Sequence, residues 1–444
     1  MIDLTRRQVG YGVGAAAAAG LLGSRPGHAA IPEGNTAPLN LPVEKNATLR
    51  ILRPAKFVDP DEVVFRENTK KFADLHGINI RIDFSGWEDL RPQTAVTANT
   101  GAGPDVVVGW TDDPHLYSDK LLDVTDVATY LGNKYGGWYP LAQMYGKKYK
   151  TEQWIAIPMG ATGGPAVYRE SWLKEVGYDT FPKTTDQLLD LCTKLKKSGH
   201  PAGFALGHAV GDANSFCYWL VWAFGGNLID EAGKVTINSK ETVEALKFAK
   251  ALYQTFIPGT NSWLDPSNNK AMLAGEIGAT QNGVSLYFSA KNSTEASIRE
   301  IAKDMNHARM PIGPVGKPTE TALAINAMAF KHTKFPNAAK AYLAFMMEAP
   351  QYDKWMIDSL GYWGQPLKAY EQSAVWTNDP KVAVYKDTMS ASRWLAYPGA
   401  ISESSGAVVA DYVVVDMVAA AATGASSPED AAREAERRAK RYYR

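Results

Sequence analysis

One aromatic residue and two acids follow a short apolar run in this sequence. The run Asp105–Val108 has no polar alternation, which predicts a strand covered on both faces, as in a parallel sheet flanked by helices. Trp110, Asp112 and Asp113 come directly after it. Ligands of open α/β sheets bind beyond the carboxyl ends of the strands, so these three residues are candidate ligand contacts. The alternatives are that Trp110 packs beneath a cleft and that an acid caps the helix that follows.

The sequence lacks the common motifs of catalytic and metal sites. Its seven histidines include no H-x-x-x-H or H-E-x-x-H pattern, and no G-x-S-x-G elbow or Walker loop is present. Asp112 and Asp113 could suggest a glycosidase, but adjacent side chains point in different directions and no second partner is identifiable. The glycine-rich segment 160–164 could imitate a phosphate cradle, but it lies between two strand pieces and fits a crossing between lobes better. The motifs therefore predict no catalytic activity, no metal site and no cofactor.

Composition limits the partners and the number of domains. The chain has 444 residues, more than one hydrophobic core usually serves, so at least two domains are expected. Lys and Arg together number 47, and so do Asp and Glu, which argues against a nucleic-acid partner attracted by bulk charge. The 12 Trp and 21 Tyr provide more flat amphipathic surface than a core alone requires.

The N-terminus has the pattern of an export signal. Thr5–Val9 contains twin arginines, the uncharged stretch that follows is rich in Ala and Gly, and Gly27–Ala29 has small residues where a signal peptidase cuts. We predict a Tat-type signal peptide over residues 1–29, a leader over 30–46 and a periplasmic protein. No cysteine lies near the cut, so no lipid anchor is expected.

Two other sequence features bear on the class of protein. The apolar stretch Val408–Ala422 carries two acids and is shorter than a membrane span, so it predicts a buried helix. Export would permit a disulfide between Cys192 and Cys217, but both lie in helical patterns without a framework of pairs, which favours free, buried thiols.

Strand and helix patterns alternate in the first part of the chain. Strands are predicted at Thr48–Leu52 and Ile78–Phe84, with a helix at Val63–His76 that ends before Gly77 and another after Ser85. With the strand at 105–108 this gives a β-α-β-α-β order and a doubly wound α/β layer. Further on, the strands 154–158 and 165–168 are separated by the glycine-rich segment 159–164, which predicts a crossing between two lobes.

The order of these landmarks resembles the family 1 extracellular solute-binding proteins, the receptors of carbohydrate ABC importers. The resemblance covers about residues 47–443 and includes the PDVV strand, the IAIP strand that leads into the crossing, the Gly225–Gly226 pair, the turn Lys270–Gly275 and the loop Gly361–Pro366. It implies a type II periplasmic-binding fold of two α/β lobes. The boundaries are then 47–158 with 321–376 for the N-terminal lobe and 159–320 with 377–444 for the C-terminal lobe.

The resemblance also assigns ligand contacts by position. It places one group of contacts after the third strand, one in the crossing, one at a helix start of the second lobe, and others in the turn 282–285 and the loop 361–366. Tyr218 and Trp219 fit a buried helix face equally well, and Arg53 could bind an anionic substituent or pair with nearby acids. The predicted contacts are Arg53, Trp87, Trp110, Asp112, Asp113, Gly160, Thr162, Asn214, Phe216, Tyr218, Trp219, Asn282, Tyr362, Trp363 and Gln365.

The function implied is that of a monomeric receptor that binds a mono- or oligosaccharide between its lobes, closes by hinge motion and delivers it to a membrane permease. Flat rings suit the C–H face of a sugar, and carboxylates and amides suit its hydroxyl rim. The alternatives are the same fold with a polyamine, a glycerol phosphate or another anionic solute, and, less favoured, a glycoside-processing enzyme.

Overall fold

The computed structural model describes residues 30–444, so the predicted signal peptide lies outside the described residues. The strands are β1 (Thr48–Pro54), β2 (Asn79–Ser85), β3 (Val106–Trp110), β4 (Ile157–Thr162), β5 (Ala166–Arg169), β6 (Ala279–Gln281), β7 (Met305–Ala308) and β8 (Leu323–Ala329). The α-helices are α1 (Asp59–His76), α2 (Trp87–Thr100), α3 (Asp113–Leu116), α4 (Thr125–Lys134), α5 (Pro140–Gly146), α6 (Glu170–Glu175), α7 (Thr185–Lys197), α8 (Asp212–Ala223), α9 (Lys240–Tyr253), α10 (Asp265–Leu273), α11 (Ser285–Lys291), α12 (Ala296–Asp304), α13 (Pro336–Met346), α14 (Ala349–Asp358), α15 (Val375–Asn378), α16 (Thr388–Ala391), α17 (Glu403–Ala410), α18 (Val413–Thr423) and α19 (Pro428–Ala439).

The strands form two sheets, and we call each sheet with its helices a lobe. The N-terminal lobe has five strands in the order β2-β1-β3-β8-β4. β1 runs parallel to β2 and β3, as the β-α-β-α-β pattern predicts, and every residue of β3 is buried. β8 enters this sheet from far along the chain and pairs antiparallel with both β3 and β4. The sheet is therefore mixed, and its central strands are covered on both faces.

The C-terminal lobe has a small sheet of three strands. Its order is β6-β5-β7, and both outer strands run antiparallel to β5. Helix α8 lies in the interior of this lobe, because after its first turn its sequence is almost wholly apolar and Ala213–Ala223 are all buried. Cys192 and Cys217 are free and buried, which confirms the sequence-based prediction.

The chain crosses between the lobes where β4 ends and β5 begins. Gly163 and Gly164 join the two strands with φ angles of 89° and 94°, in the left-handed region that glycine adopts without steric cost. The chain returns through buried Thr319–Thr321 into β8. The junction between the two sheets thus lies at the C-terminal end of the predicted crossing, around residues 163 and 164. Residues 159–162 belong to β4, where residues 160–162 pair with β8.

Helices α17 and α18 include the most apolar stretch of the described residues. Within residues 30–444, Glu403–Thr423 is long and apolar enough for a membrane span, and 56% of its most apolar window is buried inside the protein. Tyr412, with a φ of 51°, divides the stretch into the two helices. Helix α18 packs against α8, α9 and α19, as predicted for a buried helix.

Candidate functional site

A narrow cavity lies between the two lobes beside the crossing. Its space amounts to about 320 Å³, including the part that is open to solvent. The segments around it are the loop after β1, the start of α2, the crossing, the starts of α8 and α10, the turn between β6 and α11, and the loop after α14. The residues that line it are Phe57, Trp87, Thr162, Gly163, Gly211, Asp212, Ser215, Asp265, Asn282, Gly283, Ser285, Leu323 and Tyr362.

Aromatic side chains form the wall that the N-terminal lobe contributes. The rings of Phe57 and Trp87 meet edge to face with centroids 4.5 Å apart. Trp87 packs in turn on Trp110, at 4.7 Å, and its Nε1 donates a hydrogen bond to the carbonyl oxygen of Ala55. Tyr362 completes the wall. Because these rings are fixed by packing and hydrogen bonding, the wall presents a preformed apolar surface.

A buried ion pair lies behind this wall. Nη2 of Arg53 is 2.5 Å from Oδ2 of Asp61, and both side chains are 1% exposed. Oδ1 of Asp61 also accepts hydrogen bonds from Nε1 of Trp355 and of Trp363, each at 3.1 Å. Trp363 directly follows Tyr362, so the ion pair ties the loop that carries Tyr362 to the first strand and the first helix.

Polar groups form the opposite wall, which the C-terminal lobe contributes. Asp265 accepts hydrogen bonds from the backbone N–H groups of Val210, Gly211 and Asp212 at 2.7–2.9 Å, so its carboxylate occupies the N-terminus of α8. Oδ2 of Asp212 accepts from Nδ2 of Asn268 at 2.7 Å. Burial raises the pKa of both Asp212 and Asp265, and the charge of Asp265 raises the pKa of Asp212 further.

The amide of Asn282 belongs to the same polar wall. Its Nδ2 donates to Oδ1 of Asn268 at 3.1 Å and to the side chain of Asn269, and its Oδ1 accepts from Oγ of Ser285 at 3.4 Å. The carbonyl oxygen of Asn282 accepts from the Tyr385 hydroxyl at 3.1 Å. These contacts hold the turn between β6 and α11 at the edge of the cavity.

The crossing packs closely against this turn. A Cβ on Gly283 would lie 2.4 Å from Oγ1 of Thr162 and 3.2 Å from the backbone nitrogen of Gly163. Glycine is therefore needed at 283 for close approach rather than for an unusual φ angle. The contact places the Thr162 hydroxyl in the cavity between the two walls.

Four of the residues predicted from the sequence line the cavity together: Trp87, Thr162, Asn282 and Tyr362. The group after β3 lies elsewhere. Trp110 is fully buried beneath Trp87. Oδ2 of Asp112 accepts from Ser405 at 3.0 Å, and Asp113 pairs with Arg91 at 2.7 Å and accepts from the backbone N–H of Trp110. Trp110 thus packs beneath the cavity, which was its alternative role, whereas neither acid caps the helix that follows; contacts with Ser405, Arg91 and the Trp110 backbone hold them instead.

The residues predicted on α8 also lie outside the cavity lining. Nδ2 of Asn214 donates to the carbonyl oxygen of Val210 within the helix, and Nε1 of Trp219 donates to that of Pro311. Phe216 and Tyr218 are buried in the lobe interior. The first turn of α8 is the part that reaches the cavity, because Asp212 and Ser215 line it.

The other predicted contacts lie behind the aromatic wall or beside it. Arg53 is engaged with Asp61, and Trp363 donates to the same carboxylate. Gly160 lies at a bulge of β4, where a Cβ would be 2.8 Å from the Cβ of Trp363. Nε2 of Gln365 donates to the carbonyl oxygen of Lys386.

Phe57, Asp212 and Asp265 line the cavity but were not predicted from the sequence. Phe57 follows a strand end and Asp212 begins a helix, and both positions are local signals that could have been used. Asp265 also begins a helix, but its role in the cavity depends on contact with a segment 53 residues earlier in the chain, which no local signal indicates. Among the described residues, no group of three or more His, Cys, Asp or Glu could hold a metal ion.

Known proteins similar to this chain share its fold and family. A family model of the bacterial extracellular solute-binding proteins matches residues 67–384. A Deinococcus radiodurans protein named as an ABC transporter-binding protein is 27% identical over 209 residues, which are 44% of this chain and 48% of that relative, so the match spans about half of the relative's length. An Escherichia coli K12 protein named as an ABC transporter periplasmic-binding protein, YcjN, is 24% identical over 66% of this chain and 67% of its own length.

Solved structures show the same fold at low sequence identity. A sugar transporter protein of Arthrobacter chlorophenolicus with bound laminaribiose has a TM-score of 0.75 at 16% identity, covering 89% of this chain and 99% of that one. An Agrobacterium radiobacter solute-binding protein in complex with ribitol has a TM-score of 0.71 at 18% identity, covering 91% and 100%. The fold is thus that of two-lobed periplasmic binding proteins, and the family consists of binding proteins rather than enzymes. The family model matches well over half of the residues of this chain, and the chain therefore belongs to the bacterial extracellular solute-binding proteins.

Proposed function

We propose that this protein is the solute receptor of an ABC importer and that it binds a monosaccharide or a small polyol in the inter-lobe cavity. The observation that carries the proposal is the pairing of an aromatic wall from one lobe with a polar wall from the other. Relatives named as ABC transporter-binding proteins, and structural neighbours with bound laminaribiose and ribitol, support it.

The two walls complement the two kinds of surface that a sugar presents. Trp87 and Tyr362 can cover the apolar C–H face of a ring, at little cost in side-chain entropy. Asn282, Ser215 and Ser285 can each donate to and accept from hydroxyl groups. A ligand that lacks one of these hydroxyls leaves a buried polar group unpaired, which costs about 1–3 kcal/mol. Selectivity among sugars would follow from this penalty.

The narrowness of the cavity favours a small ligand. Its space of about 320 Å³ includes the part that is open to solvent. A monosaccharide or a linear polyol therefore suits it better than an oligosaccharide does.

Anionic solutes fit this cavity poorly. Among residues 30–444, no Lys, Arg or His lines it. The N-terminus of α8, which could otherwise attract an anion, is already occupied by the carboxylate of Asp265. A glycerol phosphate or a sulfonate would therefore meet two carboxylates and no compensating cation.

The remaining parts of the proposal concern delivery. The ligand would shift an open–closed equilibrium by contacts made only in the closed form, with the crossing at residues 159–164 as part of the hinge. The closed monomer would then dock on the transmembrane subunits of a permease. Export by the twin-arginine route, with cleavage near Ala29 and no lipid anchor, would place the receptor in the periplasm.

Isothermal titration of the mature protein tests this function. The panel consists of monosaccharides, polyols, disaccharides, sugar phosphates and polyamines. We expect binding by a monosaccharide or polyol and none by the sugar phosphates. Trp87→Ala should weaken that binding at least tenfold, whereas Trp172→Ala, which removes an indole outside the cavity lining, should leave it unchanged. Binding of a sugar phosphate alone, or equal effects of the two substitutions, would contradict the proposal.

A further inference from the structure

The charges around the cavity do not balance. Its lining includes the carboxylates of Asp212 and Asp265 and no basic side chain. Two guanidinium groups of the N-terminal lobe are already paired, Arg53 with Asp61 at 2.5 Å and Arg91 with Asp113 at 2.7 Å. The cavity is therefore electronegative, beyond what hydrogen bonding to neutral hydroxyls requires.

The two carboxylates differ in how many hydrogen bonds they accept from the protein. Asp265 accepts three backbone N–H bonds at 2.7–2.9 Å, so both of its oxygens are engaged. Asp212 accepts a single side-chain bond, from Asn268 to its Oδ2. Among the described residues none donates to Oδ1 of Asp212, and this residue is only partly buried and lines the cavity. Oδ1 of Asp212 is thus an acceptor left open to a ligand.

A charged Asp212 beside Asp265 is costly at this partly buried position, which is why the pKa of Asp212 is raised, and a cation bound there would stabilise its charged form. The opposite wall suits a cation too, because Phe57, Trp87 and Tyr362 line it with aromatic rings. A cation near the face of such a ring gains about 0.5–2 kcal/mol. A neutral sugar would use the aromatic wall through its C–H face, but it would leave the Asp212 carboxylate without a positive partner.

We infer that the ligand carries a protonated amine, which donates a hydrogen bond to Oδ1 of Asp212, and that the ligand class is the amino sugars or amino polyols. The inference rests on the proposed function, since it assigns the hydroxyl groups of the ligand to Asn282, Ser215 and Ser285 in the same cavity. Asp265 keeps the start of α8 in place, and Asp212 distinguishes the amine from a hydroxyl.

Matched sets of probes test this assignment on the wild-type protein. Each set has a neutral parent, its amine and its N-acetyl derivative: glucose, galactose and mannose with their 2-amino and 2-acetamido forms, and sorbitol with 1-amino-1-deoxysorbitol and its N-acetyl form. Titration calorimetry at pH 7 and low salt measures the affinities. We expect at least one amine to bind tenfold or more tightly than its parent, and its N-acetyl derivative to lose that advantage.

A pair of substitutions identifies the residue responsible. Asp212→Asn should bring the amine and its neutral parent to within about twofold of each other while the parent still binds. Asp186→Asn, which removes an exposed carboxylate in the first turn of α7, should leave the preference unchanged. Circular dichroism reports whether each variant folds, and the wild-type comparison stands without either of them.

The outcomes separate this inference from the function on which it rests. If neutral parents bind as tightly as their amines, or if Asp212→Asn retains the preference, the amine assignment is overturned and the sugar receptor stands. If no sugar or polyol of any kind binds, the proposed function fails and the inference fails with it.

Discussion

Replacing Arg53 by methionine should lower the free energy of unfolding by more than replacing any exposed charged residue of the same lobe does. Arg53 is 1% exposed and pairs with the equally buried Asp61 at 2.5 Å. Its Nη1 also donates to the carbonyl oxygen of Asp61 at 3.2 Å, and its guanidinium lies 4.4 Å from the centre of the Phe65 ring. Without the arginine, the Asp61 carboxylate stays buried with only two indole donors. Breaking such a pair from one side costs about 3–5 kcal/mol.

Urea unfolding followed by circular dichroism measures this cost, with Arg50→Met as the matched control. Arg50 lies on the same strand and pairs with Asp83 at 2.5 Å, but these side chains are 46% and 20% exposed. An exposed pair contributes about 0–1 kcal/mol, so the control should stay close to the wild type. Because Trp363 donates to Asp61 and adjoins Tyr362, Arg53→Met should also weaken ligand binding.

The double variant Arg53→Met/Asp61→Asn distinguishes a buried charge from lost packing. The amide that replaces the Asp61 carboxylate has no charge, and its oxygen can still accept from the two indoles. We expect the double variant to recover most of the stability that Arg53→Met loses. The reasoning is refuted if Arg53→Met stays within about 1 kcal/mol of the wild type, or if Asp61→Asn lowers stability further in the Arg53→Met background.

Two further predictions concern the close approach at the crossing and a buried acid. Gly283→Ala should destabilise the protein by about 1–3 kcal/mol, because its Cβ would lie 2.4 Å from Oγ1 of Thr162. In a Thr162→Ala background the cost should fall by at least half, and an equal cost in both backgrounds would contradict the steric argument. Burial raises the pKa of Asp112 to about 7, so the folded state binds its proton more tightly and the wild type loses stability as pH rises from about 4 to 7. The stability of Asp112→Asn relative to the wild type, measured by urea unfolding, should therefore increase by up to a few kcal/mol as pH rises from 4 to 8. A stability difference that does not change with pH would refute the assignment of a raised pKa to Asp112.

Local patterns were enough to predict the third strand and the break between β4 and β5. The apolar run before Trp110 indicates a strand covered on both faces, and β3 is buried at every position. The glycines at 163 and 164 predict a break between two strand pieces, and both have φ angles in the left-handed region. Such features depend on side chains and dihedral angles within a few residues, which is why the sequence reveals them.

The side of each element that faces the cavity could not be predicted in the same way. Trp110 pairs with Ile325 of β8, more than 200 residues later, and is covered by Trp87 from α2. Asp113 turns back to the backbone of Trp110 and to Arg91 instead of pointing beyond the strand end. The strand was predicted correctly, but contacts with distant segments determine what its end can bind.

By itself, the sequence determined the α/β class, the crossing between lobes, the burial of both cysteines and the resemblance to solute-binding proteins, because each depends on local periodicity or on the order of landmarks along the chain. Only the tertiary structure decided which groups meet in the cavity. Asp212 and Asp265 are 53 residues apart, and they come together because the carboxylate of Asp265 satisfies the free N–H groups at the start of α8. That contact engages both oxygens of Asp265 and leaves Asp212 as the lining acid whose Oδ1 accepts no hydrogen bond from the described residues. This is a consequence of hydrogen-bond demand between distant segments that no local pattern encodes.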